Sequence, residues 1–294
     1  MAQLDPINAI FQMPTPDGRF EGELGSVLEL LSLSRQALIL AFAPKAAGTF
    51  FRTAAIEAID GQLLRIGHAM GGRDVQPYLP IFVAYYLGHL TPDTMVAHAH
   101  MQALPANRNF MEALNLRPVI MLRPIPDMLA SYRDMLDTDA DARAEGLNCK
   151  IPDRFTQMTA AERSQFMVDV VAPWYASYFA TWFEFARDDP TRVCVLDYAD
   201  FLADPVATLE TALRHAQIAV STAACRAALD KVWHHRDTLR FNRGIEGRGR
   251  GYFSEAQLAQ IERQLVHYDI EPAMRDRLMG RNAGPHEGRL VATS

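Results

Sequence analysis

The sequence contains no run of 18 apolar residues, so it offers no candidate for a membrane-spanning helix. Its first residues lack a basic-then-apolar signal, and the cytoplasm is therefore the expected compartment. Cysteine is scarce. Cys149, Cys194 and Cys225 are scattered, odd in number, and fit neither a disulfide framework nor a metal-ligand spacing, which points to a reducing compartment. Positive charge is not in excess. Twenty-nine Lys and Arg against 35 Asp and Glu leave a formal charge of −6, which argues against nucleic acid as a partner. Internal repeats are absent too. What the chain does have is apolar mass: 49% of its 294 residues are hydrophobic, enough for a sizeable core. The expected organisation is one α/β domain spanning 1–294, with a central, mostly parallel sheet flanked by helices. Residues 1–35 read as an N-terminal arm, with prolines and a short helix near Leu24 to Ser32. Residues 280–294 read as a disordered tail.

One stretch organises the rest. Ala37 to Ala43 is a short unbroken apolar run, as expected of a buried parallel strand. Pro44, Lys45, Ala46, Ala47, Gly48 and Thr49 follow. Phe51, Ala54, Ala55 and Ile59 then recur at helical spacing. A strand, a loop of small residues and a helix are how α/β proteins build an anion site, because loop amides and the helix N-terminus converge on one place. Lys45 adds a charge and Thr49 a hydroxyl. The order is not that of the Walker A loop, in which lysine follows the second glycine. Taken alone, the stretch reads equally well as an ordinary strand-to-helix turn with a solvated lysine.

Two later stretches add phosphate chemistry. Val119 to Leu122 is another short apolar strand, with Arg123 at its end and a helix carrying Ser131 after Pro124 and Pro126. In an open α/β sheet the strand C-termini face the ligand crevice, so Arg123 and Ser131 are placed to meet a phosphate. Phe241 to Ser254 holds four glycines and three arginines, and reads as a loop whose backbone can approach an anion. Between these lie further elements. Strands are expected within Gly61 to Met70, at Met95 to Ala97 and at Arg192 to Leu196. Thr138 to Thr159 is charged and reads as a long loop or lid. Ala160 to Asp188 is the longest helical candidate, kinked or divided by Pro173, with an aromatic stripe that reads as core. Helices are also expected after the Asp204-Pro205 cap, over Ala223 to Trp233, and over Glu255 to Tyr268 behind Ser254.

His98 and His100 follow a strand, two residues apart, and would share a face of an extended segment. They suit acid–base chemistry or a metal. The metal reading is the weaker one, since no third ligand has a recognisable spacing. The adjacent Tyr85 and Tyr86 lie in an apolar run. They fit core packing, with a wall of an acceptor site as the alternative.

Four of these stretches, in this order, resemble the cytosolic sulfotransferase family, which uses 3′-phosphoadenosine 5′-phosphosulfate (PAPS). The family's first loop is P-K-S-G-T-T-W, matched by Pro44 to Phe51. Its R-N-P-x-D-x-x-x-S segment is matched at Arg123, Asp127 and Ser131, with proline displaced to Pro124 and Pro126. Its last Gly-rich loop is matched from Asn242 to Ser254, and a Y-E-D…P segment by Tyr198 to Pro205. Ala46, Phe50 and Asn242 stand where the family usually has serine, threonine and arginine. The resemblance implies a PAPS-dependent sulfotransferase that releases 3′,5′-bisphosphoadenosine (PAP), needs no metal, and acts on a small-molecule, lipid or glycan acceptor. It implies that Lys45, Ala46, Ala47, Gly48, Thr49, Phe50 and Phe51 line the 5′-phosphosulfate. Arg123, Ser131, Tyr198, Arg243 and Gly244 belong to the rest of the cofactor site. The family's K-T-H-L-P segment puts its general base on His100 and leaves His98 beside the acceptor. The competing readings are a nucleotide-dependent kinase, for which no Mg²⁺ carboxylate or Walker lysine is evident, and a nucleotide-binding homologue without catalysis.

Overall fold

The computed structural model describes residues 37–64, 94–113, 115–146, 149–235 and 247–281. Five short strands form one all-parallel sheet: β1 (Ala37–Leu40), β2 (Gln62–Leu64), β3 (Met95–His98), β4 (Pro118–Leu122) and β5 (Cys194–Asp197). Their order across the sheet is β2-β3-β1-β4-β5. Helices cover the sheet, and β1, β3 and β4 are buried along their whole length. That burial is why these strands read as continuous apolar runs rather than alternating ones.

The register is set at the central strand. Leu40 of β1 stands beside His98 on one flank and Val119 on the other. From β1 the chain goes to the edge strand β2, comes back to β3 beside β1, and then crosses to the opposite flank for β4 and β5. The strand order therefore reverses at β1, and in open α/β sheets such a reversal puts the ligand crevice beyond the strand C-termini, here those of β1, β3 and β4. Helix α1 (Gly48–Ala58) leaves that edge after β1, α2 (Pro105–Ala113) follows β3, and α3 (Ile125–Thr138) follows β4.

Several expectations are met with shifted ends, the division of the 160–188 helix beside Pro173 among them, and two are changed, at 138–159 and at the end of the Gly/Arg stretch. The stretch from Thr138 to Thr159 is not wholly a loop. It contains α4 (Ala140–Glu145), capped by the Asp139 side chain, and a 3₁₀ turn at Phe155–Gln157 whose Phe155 is fully buried. Ala142 and Phe155 are among the few residues that tie it to the core, too few to give a period. The 160–188 helix is divided. α5 (Ala160–Phe166) ends in a widened π turn, Met167–Val171, before α6 (Ala172–Asp188). Pro173 has no N–H for the carbonyl four residues back, and the ladder accommodates this by widening.

The aromatic stripe of α6 is core. Tyr175, Tyr178, Phe179, Trp182 and Phe185 are all at most 2% exposed. After β5 come α7 (Tyr198–Ala203), α8 (Pro205–His215) and α9 (Thr222–His234), of which α9 packs on α1. Asp204 caps α8 with Pro205 in its first turn. The end of the Gly/Arg stretch is helical rather than extended loop: α10 (Gly249–Tyr252) lies against α3. It leads to α11 (Glu255–Val266), where Ser254 and Gln257 form a capping box, and then to α12 (Pro272–Leu278). The helix expected near Leu24 to Ser32, the Tyr85-Tyr86 run, Arg243 and Gly244 lie outside the described residues. No helix among the described residues is long and apolar enough to cross a membrane.

Candidate functional site

The segment between β1 and α1 runs through the core without a sheet partner for most of its carbonyls. Buried backbone groups need partners. Here they come from far along the chain. Tyr178 on α6 donates its hydroxyl to Ala41 O, and Tyr175 donates to Pro44 O at 3.0 Å. Ala46 N bonds Ala43 O at 3.2 Å. Arg123, at the end of β4, donates through Nη1 to Lys45 O. Each such bond is worth on the order of 1 kcal/mol net. Together they fix a backbone that is itself strained. Lys45 (φ 65°) and Ala47 (φ 61°) both adopt the left-handed conformation. Non-glycine residues are uncommon there, and strain of this kind persists only where surrounding contacts over-determine it.

That backbone delivers α1 to the crevice with an open N-terminus. The N-cap is Ala47, which has no side chain to cap with, and the first turn carries no acidic residue. The first amides of a helix lack intrahelical acceptors, and its dipole is positive at this end. α3 also begins in the crevice without a side-chain cap, at Pro124. The site's composition thus suits a phosphate-like group. Lys45 is half-buried beside it. Its Nζ lies 3.5 Å from Met135 Sδ on α3.

Two clusters flank the loop. On one side the Arg123 guanidinium, 5% exposed, sits 4.3 Å over the ring of Tyr198, itself buried at the start of α7. Arg123, Lys45 and Tyr198 are thus brought together. On the other side are the histidines. His98 and His100 are 7% and 8% exposed, and their rings meet edge to face at 5.2 Å. The His98 ring rests on Gly48: a Cβ placed there would lie 2.3 Å from His98 Nε2. Glycine at 48 is therefore required by the close approach of β3's end to α1. Gly48, His98 and His100 form the second cluster. Phe50 and Phe51 turn their rings into the core against Phe201, with Trp233 and Phe42 beside them, which leaves their backbone as the part nearest the loop. Ala46 is fully buried, and Thr49 is half-buried with its carbonyl bonded to Thr53 Oγ1 at 2.8 Å. Ser131 is buried in α3, one turn beyond Asp127.

Sequence reasoning missed the role of Asp127. This carboxylate, 2% exposed, accepts from Gly247 N and Gly249 N, both at 2.7 Å. It thereby holds the end of the Gly/Arg stretch to α3. The Tyr175 and Tyr178 hydroxyls were missed as well, since a helical aromatic stripe signals burial and says nothing about its polar ends. Among the described residues no cluster of three or more His, Cys, Asp or Glu is arranged to hold a metal ion.

No protein-family model matches the chain, and no curated protein is similar to it in sequence. Solved structures are similar in shape. The mouse sulfotransferase SULT7A1, complexed with PAP, superposes with a TM-score of 0.60 at 13% identity, covering 86% of this chain and 92% of that one. The fold is that of the sulfotransferases. Retinol dehydratase, in complex with androsterone and inactive cofactor PAP, is also matched, with a TM-score of 0.46 and 12% identity over 81% of this chain and 83% of that one.

Proposed function

We propose that the chain is a PAPS-dependent sulfotransferase acting on a hydroxyl or amine of a small-molecule, lipid or glycan acceptor. The observation that carries this reading is the pinned loop Pro44–Thr49. It presents the uncapped N-terminus of α1 and Lys45 between a buried arginine and a pair of buried histidines. PAPS, when bound, supplies an activated sulfuryl group with a phosphate as leaving group. Lys45 Nζ and the amides of Ala47 to Thr49 place fixed positive potential where negative charge grows on that phosphate, the Ala46 amide being committed to Ala43 O at 3.2 Å, and preorganised charge of this kind is commonly the largest catalytic term. His100 takes the proton of the attacking group, since imidazole titrates in the useful range. His98, wedged between Gly48 and His100, orients the second ring and faces the acceptor. Arg123 and Ser131, with Arg243 and the Gly244 amide, hold the 3′-phosphate. Tyr198 holds the Arg123 guanidinium over its ring, where a buried cation–π contact is worth roughly 2 kcal/mol.

The test is cofactor choice. A hydrogen bond to a charged group contributes roughly 1.5–3 kcal/mol, so one such contact to the 3′-phosphate implies at least about a tenfold preference for PAP over AMP. Calorimetry giving equal affinities would remove the 3′-phosphate site. A product heavier by one sulfonate, formed from PAPS and a panel of acceptors, would establish the transfer itself.

A further inference from the structure

One helix grips both of the stretches that carry Lys45 and His100. β1 ends at Leu40 and β3 at His98, so these stretches run on beyond the strands. Tyr175, Tyr178 and Trp182 stand at i, i+3 and i+7 on α6, along one stripe of the helix, and each is at most 1% exposed. Tyr178 donates to Ala41 O and Tyr175 to Pro44 O, in the stretch that leads to Lys45. Trp182 Nε1 donates at 3.0 Å to Met101 O, the carbonyl of the residue after His100. Two neighbours on α6 bind this second stretch as well. Thr181 Oγ1 accepts from Ala103 N at 3.1 Å, and Ser177 Oγ donates to Gln102 Oε1 at 3.0 Å. Arg108 of α2 closes the junction, donating through Nε to Ala103 O at 2.7 Å and through Nη2 to Thr181 O at 3.2 Å. Packing alone would be served by phenylalanine at these ring positions. Resting on the sulfotransferase reading above, we infer that Tyr175 and Trp182 are positioning residues, which use α6 as a ruler to hold Lys45 and His100 at a fixed separation. Seven residues of helix put the two anchors about 10 Å apart along its axis. In-line transfer sets the base and the cation at the leaving oxygen on opposite sides of the reacting sulfur, so their separation must be kept. Misplacement by about 1 Å can cost on the order of 10²-fold in rate.

The test compares wild type with Tyr175→Phe, which removes one hydroxyl, and Trp182→Phe, which removes the ring N–H with some ring volume. Single-turnover transfer from PAPS, PAP affinity by calorimetry and Tm are measured for each, alone and in the His100→Ala and Lys45→Ala backgrounds. Amide hydrogen exchange is followed in the unliganded proteins. Tyr175→Phe is expected to lower the transfer rate about tenfold or more, and by more than it lowers PAP affinity. Trp182→Phe is expected to do the same in the wild-type background, and to cost less than about twofold once His100 is alanine, because a displaced base matters only while it is present. Beside Lys45→Ala, Tyr175→Phe is expected to lose most of its effect on rate. In the unliganded proteins, exchange quickens over 45–49 for Tyr175→Phe and over 99–104 for Trp182→Phe. A merely structural role lowers Tm and rate alike in every background, and that result overturns the inference. So does a wild-type rate in both variants. If Trp182→Phe does not fold, Thr181→Val carries the same expectation for the His100 side, since it exchanges only the hydroxyl that receives Ala103 N for a methyl. A wild type that transfers nothing from PAPS would instead sink the sulfotransferase reading and the catalytic half of this one. The exchange data then decide the holding role by themselves, quickened exchange supporting it and unchanged exchange overturning it.

Discussion

Replacing Gly48 by alanine tests the contact that joins the loop to the histidines. The new Cβ would lie 2.3 Å from His98 Nε2 and 2.5 Å from Cε1. Ordinary contacts between such atoms are about 3.5–4.0 Å, so the imidazole must shift by more than about 1 Å. It has little room, being 7% exposed with His100 edge-on at 5.2 Å. Overpacking of this kind costs roughly 1–3 kcal/mol. Against it stands the helix preference for alanine over glycine, at most ~1 kcal/mol. In the wild-type background Gly48→Ala is therefore expected to destabilise by about 0–2 kcal/mol. In a His98→Ala background the obstruction is gone, and the same change is expected to be neutral or stabilising by up to ~1 kcal/mol. The coupling between the two sites is then roughly 1–3 kcal/mol. The assay is urea or thermal unfolding of the four proteins of this cycle. For a domain of this size each kcal/mol moves Tm by about 2–4 °C, so the coupling is readable. Equal destabilisation by Gly48→Ala in both backgrounds would mean that Gly48 and His98 do not meet, and that the glycine is there for another reason.

His100→Ala is expected to lower single-turnover transfer by about 10²–10⁴-fold while PAP still binds, with a smaller loss for His98→Ala; robust turnover by His100→Ala would place the base on the other ring. Lys45→Ala is expected to lower the transfer rate more than the affinity for PAP, because the charge it meets develops during transfer; proportional losses would make it a binding residue only. His215, whose Nε2 lies 2.9 Å from Arg192 O, has its pKa held below the ordinary 6.5 chiefly by burial. A depressed histidine favours the folded state while neutral, so its contribution is complete above pH 6.5 and is lost as pH falls through the folded value. His215→Gln, which keeps a donor and does not titrate, is expected to flatten the decline of Tm on acidification; an unchanged pH profile would refute this. Cys194, pushed up to about 12 by burial, is expected to resist alkylation at pH 8 in the native protein and to react once it is unfolded, as mass spectrometry of labelled peptides would show.

Local chemistry was legible wherever it acts within a few residues. The apolar run at Ala37 to Ala43 announced a buried strand because a parallel strand covered on both faces needs apolar side chains at every position. Asp204-Pro205 and Ser254 announced helix starts because caps act within three residues of themselves. The Pro44–Thr49 loop and the histidine pair were visible for the same reason, as short patterns carried by neighbouring positions. The helix ending the Gly/Arg stretch was not visible, because Gly249–Tyr252 has no helix propensity of its own and is held by Asp127 and Asp134 from another element. What shapes the site is likewise long-range. Arg123 reaches Lys45 O across 78 residues, Asp127 reaches Gly247 N across 120, and Tyr175 reaches Pro44 O across 131. Periodicity records which face of an element is buried. It does not record which buried carbonyl a tyrosine hydroxyl will meet, or that β3 ends close enough to α1 for His98 to need glycine opposite it. The sequence by itself determined the strands, the caps and the short local patterns at Pro44–Thr49 and at the two histidines. The tertiary structure alone decided which of them touch, because their contacts exist only once the parallel sheet has brought the ends of β1, β3 and β4 together.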